Sequence, residues 1–319
     1  MGRMTSWDTA GSEDEFALIG QAAEELGLAA PPVIRVGDAV SALVWGDGPA
    51  QVVLLHGMAL NAHTWDTTLL HWSAMGDAAQ REAAGQGVNV VAVDLPGHGD
   101  SAWREDSDYS PATLAGALNP FLDQLLDDGV LAGPLTLVGH SLGGLTAIDL
   151  AAGRDDVAHV ITLDSLPGLV ESGQGAGDFM EKLRAMVGGP TVFASRDQIV
   201  AQALALGFGG KSEAAVRRGV IHNTRVRADG QVEWKHHIAR LGVDDLVSTL
   251  GDPAAGWERL ASLASALDVI TASNGVISPA QLDKLRQIRP GSRIITLDSG
   301  HNLQEDAPQG LADALARLT

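Results

Sequence analysis

The 319 residues include no cysteine and a single tyrosine, and aromatics make up only 4%. Without cysteine there is no disulfide, no thiolate metal site and no cysteine nucleophile. Basic residues are also scarce: 21 Lys and Arg stand against 40 Asp and Glu, a formal net charge of −19. A surface this acidic repels phosphate backbones and anionic lipid, so neither a nucleic-acid partner nor a membrane is expected. No uncharged apolar run reaches the roughly 18 residues that span a bilayer. Residues 1–16 carry acidic side chains and no apolar signal core, so a cytoplasmic location is the expectation. No phosphate loop or dinucleotide fingerprint occurs, and no cofactor or metal is implied.

What is present is 45% hydrophobic content, enough to bury a sizeable core. Residues 13–27 have apolar positions at helical spacing, with Ser12 as N-cap and Gly27 as stop. Pro31-Pro32 breaks that helix. Two β-rich runs, Val33–Val36 and Val40–Trp45, then read as a hairpin-like antiparallel sheet edge. Short continuous apolar runs follow at Val52–Leu55, Val88–Val93, Leu135–Val138, Val160–Leu163, Val269–Thr271 and Ile294–Leu297. Continuous rather than alternating hydrophobicity marks strands covered on both faces, hence a mostly parallel sheet flanked by helices. The rhythm fails across residues 166–258, where helical patches (Asp178–Val187, Ser212–Val220) and a hairpin signal at Asp229-Gly230 predict a cap inserted into the core. The core is then residues 1–165 and 259–319, with 1–30 as N-terminal helix and linker.

The chemistry concentrates in Gly139-His140-Ser141-Leu142-Gly143-Gly144, which directly follows one apolar run and precedes a helical stretch. That context makes Ser141 the expected nucleophile, exposed on a sharp strand-to-helix turn. A hydroxyl needs a base, and His301 follows the last expected strand. The amides of Leu142 and Met58 are the expected oxyanion donors, with Gly57 allowing close backbone approach. Gly57, His140, Trp65, Trp103 and Trp234 are candidates for lining the substrate pocket.

These motifs, together with His56-Gly57 and Asn61–Trp65, Asp94–Ser101 and Gly300-His301 in that order, resemble the α/β-hydrolase superfamily, specifically its cap-bearing serine-esterase branch. The resemblance covers most of the chain from residue 50 onward. It implies an α/β-hydrolase fold with a helical cap, and a structural turn at Asp94–Ser101 without a proton-transfer role. In most of that superfamily the triad acid follows the seventh strand. Here the corresponding segment, Val269–Ser278, has no carboxylate, and Asn274 stands nearest. Asp164, directly after the sixth strand, is the favoured acid, with Asn274 and Asp298 as alternatives. Asp268 falls at the wrong end of its strand. His63 and His98 read as structural, and the adjacent His236-His237 as solvated cap surface rather than a metal site.

The expected activity is hydrolysis of a small, apolar or weakly polar ester or lactone through an acyl-enzyme. Hydrolysis of a carbon–carbon bond in a diketone-like compound uses similar parts. A ligand-binding or signalling homologue without turnover is the rival from another class. Substrate identity and oligomeric state are not encoded in these patterns.

Overall fold

The computed structural model describes residues 15–75, 88–168, 177, 181, 189–205, 212–242 and 249–319. Eight strands form the main sheet: β1 (Val33–Gly37), β2 (Ser41–Trp45), β3 (Ala50–Leu55), β4 (Val90–Asp94), β5 (Leu131–His140), β6 (Val157–Leu163), β10 (Ala266–Asn274) and β11 (Ile294–Gly300). Their order is β1-β2-β4-β3-β5-β6-β10-β11. Only β2 runs against its neighbours; pairing from β4 through β11 is parallel. This is the fold expected from the uninterrupted apolar runs.

Alternate residues of each strand feed opposite layers. Val53 and Leu55 of β3 join one core with Val91, Val93 and Leu137. Val52 and Leu54 join the other with Val90, Ala92 and Val138. Helices α3 (Pro111–Asp127), α4 (Leu142–Ala151), α7 (Pro253–Ser262) and α8 (Pro279–Ile288) bring Leu114, Ile148, Leu260 and Leu285 to the first layer. The second is closed by α1 (Glu15–Leu26), α2 (Asp66–Ser73) and α10 (Pro308–Leu318), through Ile19, Leu69 and Leu311. With both faces covered, the chemistry is left to loops at the carboxyl ends of the strands.

The expected helical insertion also carries a second, three-stranded antiparallel sheet, β7 (Val192–Phe193), β9 (Val232–Trp234) and β8 (Thr224–Val226). Helices α5 (Arg196–Ala205) and α6 (Glu213–Asn223) pack on it through Ile199, Val200, Val216 and Val220. Ser212 caps α6 by accepting the Ala215 N–H. Of the predicted helix Asp178–Val187 only Glu181 is described, and it is helical; the Ser12 cap falls outside the described residues. A one-turn helix, α9 (Leu303–Asp306), follows β11. No helix among the described residues is long and apolar enough to cross a membrane.

The segment sits on the core through a defined seam. The His237 N–H donates to Gly97 O (2.8 Å) and Trp103 Nε1 donates to Lys235 O (2.6 Å). The Trp103 ring stacks on His237, with Arg225 and Arg240 each 4.9 Å from its centroid. Trp103, a candidate for the pocket or for packing between cap and core, packs across this seam. The expectation for Trp65 is corrected, since its indole has no exposure and lies in the second core layer with Leu69 and Leu303.

Candidate active site

Ser141 stands between β5 and α4 with φ +52° and ψ −119°. A non-glycine residue holds such a conformation only when its surroundings enforce it. They do so by crowding. A Cβ at Gly139 would strike Gly143 O, and one at Gly143 would strike Leu55 O. The Ser141 N–H donates to Leu163 O (3.2 Å), while Ser165 Oγ donates to Ser141 O (2.7 Å). The Ser141 hydroxyl is buried and makes no hydrogen bond among the described residues. Such contacts often tighten only when substrate arrives. Leu142 opens α4, so its N–H belongs to the first-turn amides that have no acceptor within the helix.

His301 follows β11, and its Nδ1 lies 2.8 Å from Asp164 Oδ2. Asp164 follows β6 with φ +43° and is fully buried. Its Oδ2 also accepts the Val276 N–H (2.8 Å), and its Oδ1 accepts Thr271 Oγ1 and the Ala272 N–H, both at 3.3 Å. The segment without a carboxylate therefore supplies donors to a carboxylate from the neighbouring strand. Asn274 and Asp298 stand elsewhere: both contact Ser273, at 3.2 and 3.1 Å, on the exposed side. Asp268 is engaged by Arg293 and His159.

Gly275 was not singled out in the sequence, yet a Cβ there would overlap both Asp164 carboxylate oxygens. Gly275→Ala is expected to push Asp164 off His301. A displacement near 1 Å lowers kcat about 100-fold, at about 1–3 kcal/mol of stability. Steady-state kinetics beside thermal unfolding checks this. Unaltered kcat would mean that the carboxylate position is unimportant.

Two more histidines hold the loops. His56 Nδ1 donates to Gly57 O (2.7 Å) and its Nε2 accepts the Leu95 N–H (3.0 Å), which fixes the tautomer and the backbone leading to Met58. His140, expected to line the pocket, is buried. Its Nε2–H donates to the His301 carbonyl (2.9 Å), while Nδ1 faces Gly57, whose Cβ would come within 2.6 Å. Burial holds His140 well below its ordinary pKa, so the ring is neutral. The Gly300 N–H donates to Asp306 (2.9 Å), a positioning contact that the sequence did not announce. Trp234 packs edge-on to Phe193 and against His236.

His236 corrects another expectation, because it is buried at 1% exposure rather than solvated. His237 turns the other way, and its Nδ1 is 2.7 Å from the Tyr109 hydroxyl. Burial pushes His56 down to about 4 and both His98 and His236 to about 3. The unfolded chain takes up protons near pH 6.5 that these folded rings refuse, so stability is full above that pH and falls below it. At pH 5 the linkage is about 2 kcal/mol for each ring. His63 acts oppositely. Burial disfavours its charge, but Asp66 and Glu15 raise it to about 9, so its contribution is full below about 6.5 and fades as pH rises through 9. Thermal unfolding is therefore expected to peak near pH 6.5–7, with His236→Gln shallowing the acid slope. A Tm unchanged between pH 7 and 5 would refute it.

A family model described as the alpha/beta hydrolase family matches residues 52–314. Esterase Rv0045c of Mycobacterium tuberculosis (strain ATCC 25618 / H37Rv) is 33% identical over 317 residues, covering 97% of each chain. The sn-1-specific diacylglycerol lipase ABHD11 of Mus musculus is 28% identical over 232 residues, 72% of this chain and 71% of the lipase. Among solved structures, the refined M. tuberculosis esterase Rv0045c, reported with its transition metal inhibition, matches with a TM-score of 0.78 and 31% identity. That match covers 97% of this chain and 99% of the esterase. With a family match over most of its length and a relative aligned nearly end to end, this chain belongs to the alpha/beta hydrolase family and is a hydrolase.

Proposed function

We propose that the protein hydrolyses a small ester or lactone through an acyl-enzyme formed on Ser141. The observation that carries the reading is the contact between His301 Nδ1 and Asp164 Oδ2, beside a serine held at positive φ. With Nδ1–H committed to the carboxylate, His301 presents Nε2 as the base that takes the Ser141 proton. The hydroxyl oxygen adds to the substrate carbonyl. The oxyanion is held by the amides of Met58 and Leu142, and His301 then protonates the departing alcohol. Water enters, gives a proton to His301, and releases the acid. Asp164 holds the ring in this tautomer and stabilises the imidazolium.

Residues 166–258 act as the cap, with Trp103 fixing it to the core, and the substrate is a small molecule of apolar or weakly polar character. The identity to esterase Rv0045c supports ester over carbon–carbon chemistry. A fluorophosphonate probe followed by peptide mass mapping tests the reading, with p-nitrophenyl acetate and butyrate turnover measured in parallel. A single adduct on Ser141 and steady multiple turnover are expected. Labelling elsewhere, or labelling without turnover of any ester, would reject it and favour a binding protein.

A further inference from the structure

Away from the site above, three ligating side chains converge where residues 61–66 meet α6. The donor atoms of His63, Asp66 and His222 all lie within 4.8 Å of one another, and all three residues are buried. Asp66 Oδ2 is 2.9 Å from His63 Nδ1 and 4.0 Å from His222 Nε2. Asp66 Oδ1 and His222 Nε2 are buried and have no hydrogen-bond partner among the described residues. Leaving two such polar atoms unmatched is costly, so a site that recruits both to a ligand has a physical motive.

We propose that His63, Asp66 and His222 bind a divalent transition ion of the Zn2+ class, which bridges the core segment 61–66 to helix α6. Two imidazoles and one carboxylate suit Zn2+, Co2+ or Ni2+ rather than the oxygen-seeking Mg2+ or Ca2+. Water completes a tetrahedral shell. Bonds of about 2.1 Å in such a shell place ligand atoms about 3.4 Å apart. The observed 2.9 and 4.0 Å, both to Asp66 Oδ2, fall on either side of that spacing, and the unpartnered Oδ1 of the same carboxylate is left to accept from the bound water. His63 is also prepared from behind: its Nε2 lies 3.3 Å from Glu15 Oε2, the carboxylate–imidazole–metal arrangement that fixes the coordinating nitrogen. The nearby Arg35 cation, 3.4 Å from the same nitrogen, is neutralised by Glu15 and Asp94.

One movement is required. The rings of His63 and His222 are stacked, 3.7 Å apart and 13° from parallel. An imidazole lone pair lies in its ring plane, so two stacked rings cannot both address one ion. His222 is the ring that turns, since its Nε2 has no hydrogen bond to surrender; His63 keeps its place and releases to solvent the Nδ1 proton that it shares with Asp66, so that this nitrogen is free for the ion. The bound ion then reinforces a seam already joined by Asn61 Nδ2 donating to Asn223 Oδ1 (2.6 Å). The site stands independently of the hydrolytic reading.

The test titrates metal-free protein with Co2+, whose tetrahedral complexes absorb visible light far more strongly than the hydrated ion, and measures Tm with Zn2+ and with Mg2+. One equivalent of tetrahedral Co2+ is expected, with a Tm raised by Zn2+ and not by Mg2+. His222→Ala and His222→Phe are each expected to weaken binding at least tenfold. The phenylalanine keeps a ring stacked on His63, so loss there traces to the missing nitrogen rather than to unfolding. His301→Ala is expected to bind as wild type. The proposal is overturned by the absence of a Co2+ band, by binding that survives both His222 variants, or by binding lost in His301→Ala, which would place the ion beside Ser141.

Discussion

Ser141→Ala is expected to lower kcat by about 10⁴- to 10⁶-fold toward any ester the wild type turns over. The change removes the nucleophile and little else. Alanine keeps the Cβ, so the strain at φ +52° is the same in both proteins. The lost hydroxyl is buried and makes no hydrogen bond among the described residues. Its removal therefore strands no partner, and Tm should equal or exceed that of wild type, the pattern of a site held for activity at a cost to stability. Stopped-time ester hydrolysis and thermal unfolding on the same preparations check both halves. Activity within tenfold of wild type would end the acyl-enzyme reading, because that reading assigns the attack to this hydroxyl alone. A collapse in Tm would instead assign the hydroxyl a structural duty.

Asp164→Asn is expected to cost about 10⁴-fold in kcat. Asparagine tolerates the positive φ of this position as aspartate does, so the backbone is preserved. The hydrogen bonds are not. Four donors face the carboxylate: His301 Nδ1–H and the Val276 N–H at Oδ2, Thr271 Oγ1 and the Ala272 N–H at Oδ1. An amide offers acceptors on one side only. With its NH2 toward His301 it opposes the Val276 N–H and drives the imidazole into the tautomer whose Nε2 carries a proton and cannot accept one from Ser141. With its NH2 toward Ala272 it keeps the tautomer, loses the charge that stabilises the imidazolium, and opposes the Ala272 N–H, while the Thr271 hydroxyl can turn to accept. Either way a buried donor is unmatched, at about 1–3 kcal/mol. Asn274→Ala and Asp298→Ala should remain within twofold of wild type, since both residues contact Ser273 on the exposed side while Asp164 meets His301 Nδ1. A dead Asp298→Ala beside an active Asp164→Asn would reverse the assignment.

The chain order and local patterns carried much of this. Each continuous apolar run marked a sheet strand, because a strand buried on both faces must be apolar at consecutive positions. Gly139–Gly144 could be placed on its turn without coordinates, since the crowding that requires small residues there is local. His301 was legible from its position after the last strand. The absence of cysteine removed thiol chemistry before any fold was considered.

Choosing among Asp164, Asn274 and Asp298 needed three dimensions. All three sit near strand ends, and only the parallel register of β6, β10 and β11 brings Asp164, rather than the others, under His301 while the Val276 amide secures it. Trp65 looked like a pocket residue because its motif follows a strand end near the expected pocket mouth; position along the chain does not say which layer receives a side chain, and packing sent it into the core. His236 looked solvated because burial in a seam depends on where the inserted segment lands. The His63–Asp66–His222 cluster was invisible for the same reason. The sequence by itself determined the family's fold and the strand-to-helix turn that carries Ser141, since these follow from hydrophobic pattern and short-range sterics. Only the tertiary structure decided which carboxylate meets His301, which histidines are buried and where His63, Asp66 and His222 converge, because each depends on side chains from distant segments meeting at short distance.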